Sequence, residues 1–291
     1  MLTQNSLLRA QKRAVLSVAA LSMALLTGCT QSISEGPAAQ EAASVAVFSH
    51  VHGMSVDPDS GRIHLATHEG LFDATADEPQ KIGPTIDLMG FATAGKDEYY
   101  ASGHPSTETG LPDPAGLIRS TDGGSTWEPL SLQGKSDFHA LAVTGESVIG
   151  FDGTLRVTDD TVTWNNIDAG IQPYHLAGSP LSQVVLATTE QGVHRSEDGG
   201  KTWTLPQDAP VLLLTAFASK SVVVGVEPDG AVQLSRDAGR TWQKTAGVVT
   251  GQPAAIAATG DDGGHVRIWV ATSTGISHST DDGATFTEKT P

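Results

Sequence analysis

Histidine carries most of the reactive chemistry in this chain. Ten are present, and six of them (His50, His52, His68, His104, His139 and His175) stand at the ends of short apolar strands. Neutral imidazole ligates zinc and copper well, and the thioether of Met89, placed like His52 and His139, tilts the choice toward copper. His52, His68, His104, His139 and His175 with Met89 are therefore the candidate metal ligands, and copper or zinc the candidate cofactor. Against this, only His50-x-His52 has a tight ligand spacing, and histidines beside a channel also serve simply to satisfy backbone groups and water. A second chemistry needs two carboxylates facing each other across a scissile bond. Asp137 and Asp152 are the candidates, with Glu190 and Glu227 near them, but 33 acids make a chance pairing common.

The elements that position these residues repeat. Six units of four short strands recur about forty residues apart, a spacing that predicts propeller blades. The first strand of each unit alternates: His52–Val56, Met89–Thr93, His139–Val143, His175–Ser179, Leu213–Phe217 and Ala255–Ala258. The second is apolar: Ile63–Thr67, Tyr99–Ser102, Val148–Phe151, Val184–Thr188, Val222–Val226 and Ile268–Thr272. The third begins at a glycine in every unit: Gly70, Gly116, Gly153, Gly192, Gly230 and Gly275. The expected fold is all-β, a six-bladed β-propeller of four-stranded antiparallel blades. Seven blades is the alternative, with Val45–Phe48 as an added strand.

Turns between third and fourth strands repeat almost verbatim. Ser120-Thr121-Asp122-Gly123-Gly124-Ser125-Thr126-Trp127 recurs as Ser196–Trp203, Ser235–Trp242 and Ser279–Phe286, with a weaker copy over Val157–Trp164. The aspartate of each, Asp122, Asp159, Asp198, Asp237 and Asp281, can accept backbone N–H groups within the turn. The glycine supplies positive φ. This S-x-D-x-G-x-T-W pattern resembles the Asp-box of the BNR-repeat propellers, in the sialidase-like superfamily. The chain also looks like bacterial lipoproteins labelled glycosylhydrolase-like, and like Asp-box propellers that bind client proteins during assembly of photosynthetic complexes. The resemblance implies the fold, and either a glycosidase or a protein-binding role. It does not extend to a sialidase mechanism, which uses three arginines at the mouth. Here Arg119, Arg156 and Arg195 fall beside the boxes on the outer strands.

Topology then sorts the chain into two faces. Asp-boxes join third to fourth strands on one face, so the starts of first strands and the ends of second strands meet on the other. All six histidines and Met89 belong to that second face. The loop from Gly103 to Ala115 enters it too. It exceeds its counterpart in the first blade by eleven residues, and long loops carry function more often than short ones.

The N-terminus reads as targeting. Arg9, Lys12 and Arg13 precede an apolar run, Ala14–Leu26, too short to span a bilayer comfortably. Leu26-Thr27-Gly28-Cys29 resembles a lipobox, and Cys29 is the only cysteine. The expected organisation is a lipoprotein signal peptide over 1–28, lipidation at Cys29, a flexible tether over 29–44 and the propeller over 45–291. The expected location is the extracytoplasmic face of the cell membrane, held by the lipid. Removing the three bases before Cys29 takes the net charge from −16 to −19. Such acidity excludes nucleic acid, whose phosphates need Lys and Arg. It also disfavours an anionic membrane surface beyond the lipid. The expected state is a monomer that binds a metal ion, a protein client or a carbohydrate at the His-rich face, with no catalysis established.

Overall fold

The computed structural model describes residues 50–261 and 263–289. The signal, Cys29, the tether and Val45–Phe48 lie outside the described residues. Within them the chain forms six antiparallel sheets in chain order, one per blade. Blade 1 is β1 (Val51–Val56), β2 (Ile63–Thr67), β3 (Gly70–Asp73) and β4 (Gln80–Ile82). Blade 2 is β5 (Ile86–Gly95), β6 (Glu98–Pro105), β7 (Leu117–Ser120) and β8 (Glu128–Ser131). Blade 3 is β9 (Ala140–Val143), β10 (Val148–Phe151), β11 (Leu155–Thr158) and β12 (Asn165–Asn166). Blade 4 is β13 (His175–Gly178), β14 (Val185–Thr189) and β15 (Gly192–Ser196), with its fourth strand reduced to an Arg195–Thr204 bridge. Blade 5 is β16 (Leu214–Phe217), β17 (Val223–Val226), β18 (Ala231–Ser235) and β19 (Gln243–Val248). Blade 6 is β20 (Pro253–Gly260), β21 (Val266–Thr272), β22 (Gly275–Ser279) and β23 (Thr287–Lys289). The protein is a six-bladed β-propeller: each first strand packs on the next, and β20 packs on β1 to close the ring.

The apolar second strands explain where the core sits. β2 and β14 are buried at every position, whereas the outer β12 is exposed throughout. A strand covered on both faces needs a neighbouring blade on each side, so the core is divided into six seams between blades. Leu71 and Ala66 of blade 1 meet Ile86, Leu88 and Ile118 of blade 2. Between blades 5 and 6, Val224 and Val232 meet Ile256 and Ile268. The closing seam sets Met54, Ile63 and Leu65 against Ala257 and Trp269. Lys289 reinforces it by donating to the carbonyl oxygen of Thr75.

The Asp-boxes hold these seams. Ser120 Oγ accepts the Gly124 N–H at 2.8 Å and donates to Asp122 Oδ1 at 2.8 Å. Asp122 then accepts the Thr126 N–H at 2.9 Å and the Thr126 hydroxyl at 2.7 Å. The same bonds recur at Asp198, Asp237 and Asp281. The aromatic residue ending each box packs into the seam with the preceding blade. Trp164, for example, stacks on Phe138 at 4.8 Å and donates Nε1–H to Ser131 Oγ at 2.9 Å. Gly124, at φ 91°, lies so close to blade 1 that a Cβ would stand 2.1 Å from Leu71 Cδ2.

One box residue is corrected. In blade 3 the aspartate of the turn is Asp160, not Asp159. Asp160 Oδ1 accepts the Thr158 hydroxyl at 3.0 Å and the N–H groups of Val162 at 2.9 Å and Thr163 at 2.6 Å. Asp159 points to neighbouring elements, accepting from Ser147 Oγ at 2.6 Å and Lys201 Nζ at 2.9 Å. The turn is one residue shorter than its siblings, so counting back from Trp164 lands on the wrong aspartate.

Two outcomes test this account. Gly124→Ala is expected to destabilise the propeller by about 1–3 kcal/mol in urea unfolding, because the methyl group overpacks the seam. Hydrogen bonds from Thr285 hold the Asp281 carboxyl down at about 2, and those from the Thr163 and Val162 backbone hold Asp160 at about 2. Carboxyls depressed on folding stabilise above their unfolded pKa, and that stability is lost as pH falls through the folded value. Near-UV circular dichroism should therefore persist at about pH 4 and decline toward about pH 2.

Candidate functional site

The mouth opposite the Asp-boxes is shaped by three irregularities in first strands. In β1 the pairing with β2 slips between Val51 and Gly53, which leaves His52 out of the ladder. In β5 it slips between Leu88 and Gly90, leaving out Met89. In β20 it slips between Pro253 and Ala255, leaving out Ala254. Bulges re-aim side chains where strands end beside a site. Here they fall in three consecutive blades, 6, 1 and 2, and all three released residues line one cavity of about 940 Å³. The glycines that follow two of the bulges are packed tightly: a Cβ on Gly90 would stand 2.3 Å from the Phe138 carbonyl oxygen.

The structure brings most of the expected residues to this cavity. His50, His52, Met89, Asp137, His139, Asp152 and His175 all line it. His68 and His104 stand against the lining residues His52 and Asp137. The six histidines do not form one ligand set, however. They fall into two groups and one isolated ring.

The first group is His52 and His68. Their Nε2 atoms are 3.4 Å apart, and His68 Nδ1 lies 2.7 Å from Asp87 Oδ1. A carboxylate at Nδ1 holds the proton there and leaves Nε2 as a lone pair. His50 completes the cluster, its ring centroid 4.8 Å from that of His68 and 6.4 Å from that of His52. Burial, aided by the charge of His68, lowers the His52 pKa and favours the neutral ligand form. Among the described residues, His52, His68 and Asp87 are the one trio of His, Cys, Asp or Glu whose ligand atoms converge within 4.8 Å.

The second group is a chain of alternating acids and imidazoles. His104 Nδ1 meets Asp113 Oδ1 at 2.6 Å and its Nε2 meets Asp137 Oδ2 at 3.2 Å. The same Asp137 oxygen meets His139 Nε2 at 2.8 Å. Asp113 comes from the long loop between β6 and β7, so that loop is tied to the mouth through His104. The start of the loop needs Gly103: at φ 146°, a Cβ would lie 1.8 Å from the Asp87 carbonyl oxygen. The Asp113 hydrogen bond and the Asp137 charge raise the His104 pKa, and an imidazolium donates to both carboxylates at once.

His175 joins neither group. Its ring borders the cavity, but burial pushes its pKa down to about 4, and its buried Nδ1 has no partner. Of the carboxylates, Asp152 is engaged by Arg156 Nε at 3.3 Å and the Thr154 N–H at 3.2 Å. Glu227, another of the acids read from sequence, accepts from Gln233 Nε2 at 2.7 Å and does not line the cavity. Lys135 is the one cationic lysine or arginine on the cavity wall, so no arginine triad faces it. Among the described residues no helix is long and apolar enough to cross a membrane.

Sequence reasoning missed Asp87. Its signal is its place two residues before Met89, paired across the ladder with His104. The bulges had a readable mark as well, in His52-Gly53 and Met89-Gly90, since glycine inside a strand often marks one.

No protein-family model matches the chain, and no curated protein matches it. Solved structures do. The chain is similar to a GH74 enzyme of Niastella koreensis at 15% identity and TM-score 0.58, covering 78% of this chain and 35% of that one. It is similar to a GH74 xyloglucanase from Xanthomonas campestris at 17% identity and TM-score 0.52, covering 78% and 36%. A third likeness, to YCF48 bound to D1 peptide, has 19% identity and TM-score 0.46 over 72% and 71%. The chain thus spans 35% and 36% of the length of the two GH74 structures. Those two likenesses show the propeller fold.

The acid–imidazole chain makes a pH prediction. A pKa raised on folding stabilises below the unfolded value of 6.5, and the contribution is lost as pH rises through the folded value. NMR titration should place the His104 pKa above 6.5, and Asp113→Asn should lower it. A His104 that titrates at or below 6.5 in the intact protein would exclude the double hydrogen bond.

Proposed function

We propose that this protein is an extracytoplasmic, lipid-anchored propeller that binds a transition-metal ion at its mouth, through the Nε2 atoms of His52 and His68. The 3.4 Å separation of those atoms carries the reading. Two nitrogens on a tetrahedral zinc-sized ion, each at about 2.0–2.1 Å, stand roughly 3.3–3.4 Å apart. For a hydrogen bond between two nitrogens, 3.4 Å is long. His68 Nε2 presents a lone pair toward that gap, and a cation there would take one from His52 as well. Asp87 fits the orienting role that carboxylates hold behind metal-ligating imidazoles. His50 is the reserve ligand at the rim.

A glycosidase would rest on Asp137 and Asp152. Asp137 is shared by two imidazoles and Asp152 is engaged by Arg156, so neither stands free as a general acid or base. The lipid anchor is supported by the Leu26–Cys29 motif alone.

The test is metal binding by the propeller stripped with a chelator. Zinc or copper should bind at one site per chain. His52→Ala or His68→Ala should abolish it while leaving the circular dichroism spectrum unchanged. Asp87→Asn should weaken it by roughly 10–100-fold, as loss of an orienting carboxylate does. Metal affinity unaffected by His52→Ala and His68→Ala together would sink the proposal. Separately, Cys29→Ala should move the protein from the membrane fraction to the soluble extracytoplasmic one.

A further inference from the structure

Resting on the metal site just proposed, we infer that Met89 is its third ligand and the residue that selects the cuprous ion over zinc.

Two imidazoles leave a metal ion undercoordinated, so a third donor has to come from the surrounding wall. Three side chains could supply it. Asp87 Oδ1 is taken by His68 Nδ1–H, an interaction that fixes the ring carrying the ligand atom. His50 stands exposed at the rim, its ring 4.8 Å from that of His68 and 6.4 Å from that of His52. Met89 differs from both, because the backbone is deformed to present it. Its bulge in β5 is the counterpart, one blade on, of the bulge in β1 that releases His52. The two residues occupy equivalent positions in adjacent blades, both leave their ladders, and both line the same cavity.

Leu88, next to Met89, is fully buried in the blade 1–2 seam with Ile86 and Ile118. Met89 instead stays half-buried at the channel wall. Met89 thus belongs to the wall of the mouth rather than to a seam.

Two imidazole nitrogens and one thioether make a soft donor set of low coordination number. Thioethers select Cu(I), whereas zinc gains little from them and takes nitrogen, thiolate or carboxylate. No proton or electron moves on binding, provided the ion arrives reduced and both imidazoles are neutral.

The experiment compares metals on one scaffold. Cuprous affinity is measured anaerobically by competition with a chromophoric chelator, and zinc affinity by a fluorescent one. Wild type, Met89→Leu and His50→Ala are compared, each checked for an unchanged thermal melt. Leucine has a similar volume, so the fold should tolerate it. Met89→Leu should weaken Cu(I) by roughly tenfold, about 1.4 kcal/mol, and leave zinc unchanged. X-ray absorption at copper should show a sulfur neighbour in wild type that vanishes in Met89→Leu. Wild-type Cu(I) affinity in Met89→Leu, or a loss confined to His50→Ala, would overturn the role of Met89 while leaving the metal site standing. Failure of the wild type to bind either ion would overturn the metal site and this inference together.

Discussion

Burial of the second strands on both faces is the constraint from which the rest of this molecule follows. A strand such as β2 or β14, buried at every position, cannot be satisfied inside its own blade, since each sheet is one layer thick. It needs a neighbour on either side. Six such layers meet that need only by closing into a ring, and the core becomes six seams rather than one interior. The Asp-box serves this arrangement. Its hydrogen bonds tighten the turn, and that turn delivers an indole or phenyl ring to the seam with the blade before it. The box carboxylates are spent on amides and hydroxyls, so their chemistry is structural.

With stability lodged in the seams, the mouth is free to depart from regularity. The departures are concentrated there: three bulges, a long loop pinned by Asp113, and histidines drawn from four blades. The two imidazole groups differ in character. At His104, two carboxylates draw a proton toward the ring. At His52, burial and a neighbouring imidazole drive protons away. Opposite electrostatic demands thus meet at one mouth.

Much of this was legible in the residues. Period and alternation located Ile63–Thr67 and Val148–Phe151 to the residue, because a strand buried on two faces leaves an unbroken apolar run. The face shared by His52, His139 and His175 followed from counting strands, since topology alone sends first-strand starts to one side. What could not be read was distance. Six histidines on one face looked like one set, and only side-chain geometry divides them, pairing His52 with His68 and His104 with Asp137. Asp87 escaped notice because an acid near a strand start has no pattern of its own. The slip between Asp159 and Asp160 has a similar cause: a shortened turn changes the offset from Thr158 to Thr163, and two adjacent aspartates hide the change.

Closure of the ring has a mechanical side. Among the described residues, blade 1 and blade 6 are each built from one continuous stretch, and no strand is shared between them. Among the described residues the circle is thus a split washer: five of its six joints are bridged by the chain, and the sixth is held by side chains such as Trp269 and Lys289. Strain from heat or pulling would concentrate at that gap. His52 stands on the lip of it, on the blade that would swing, while Met89 moves with the chain that follows. Whatever spans blades 1 and 2 at the mouth would stiffen the hinge beside the gap, and the ring as a whole with it.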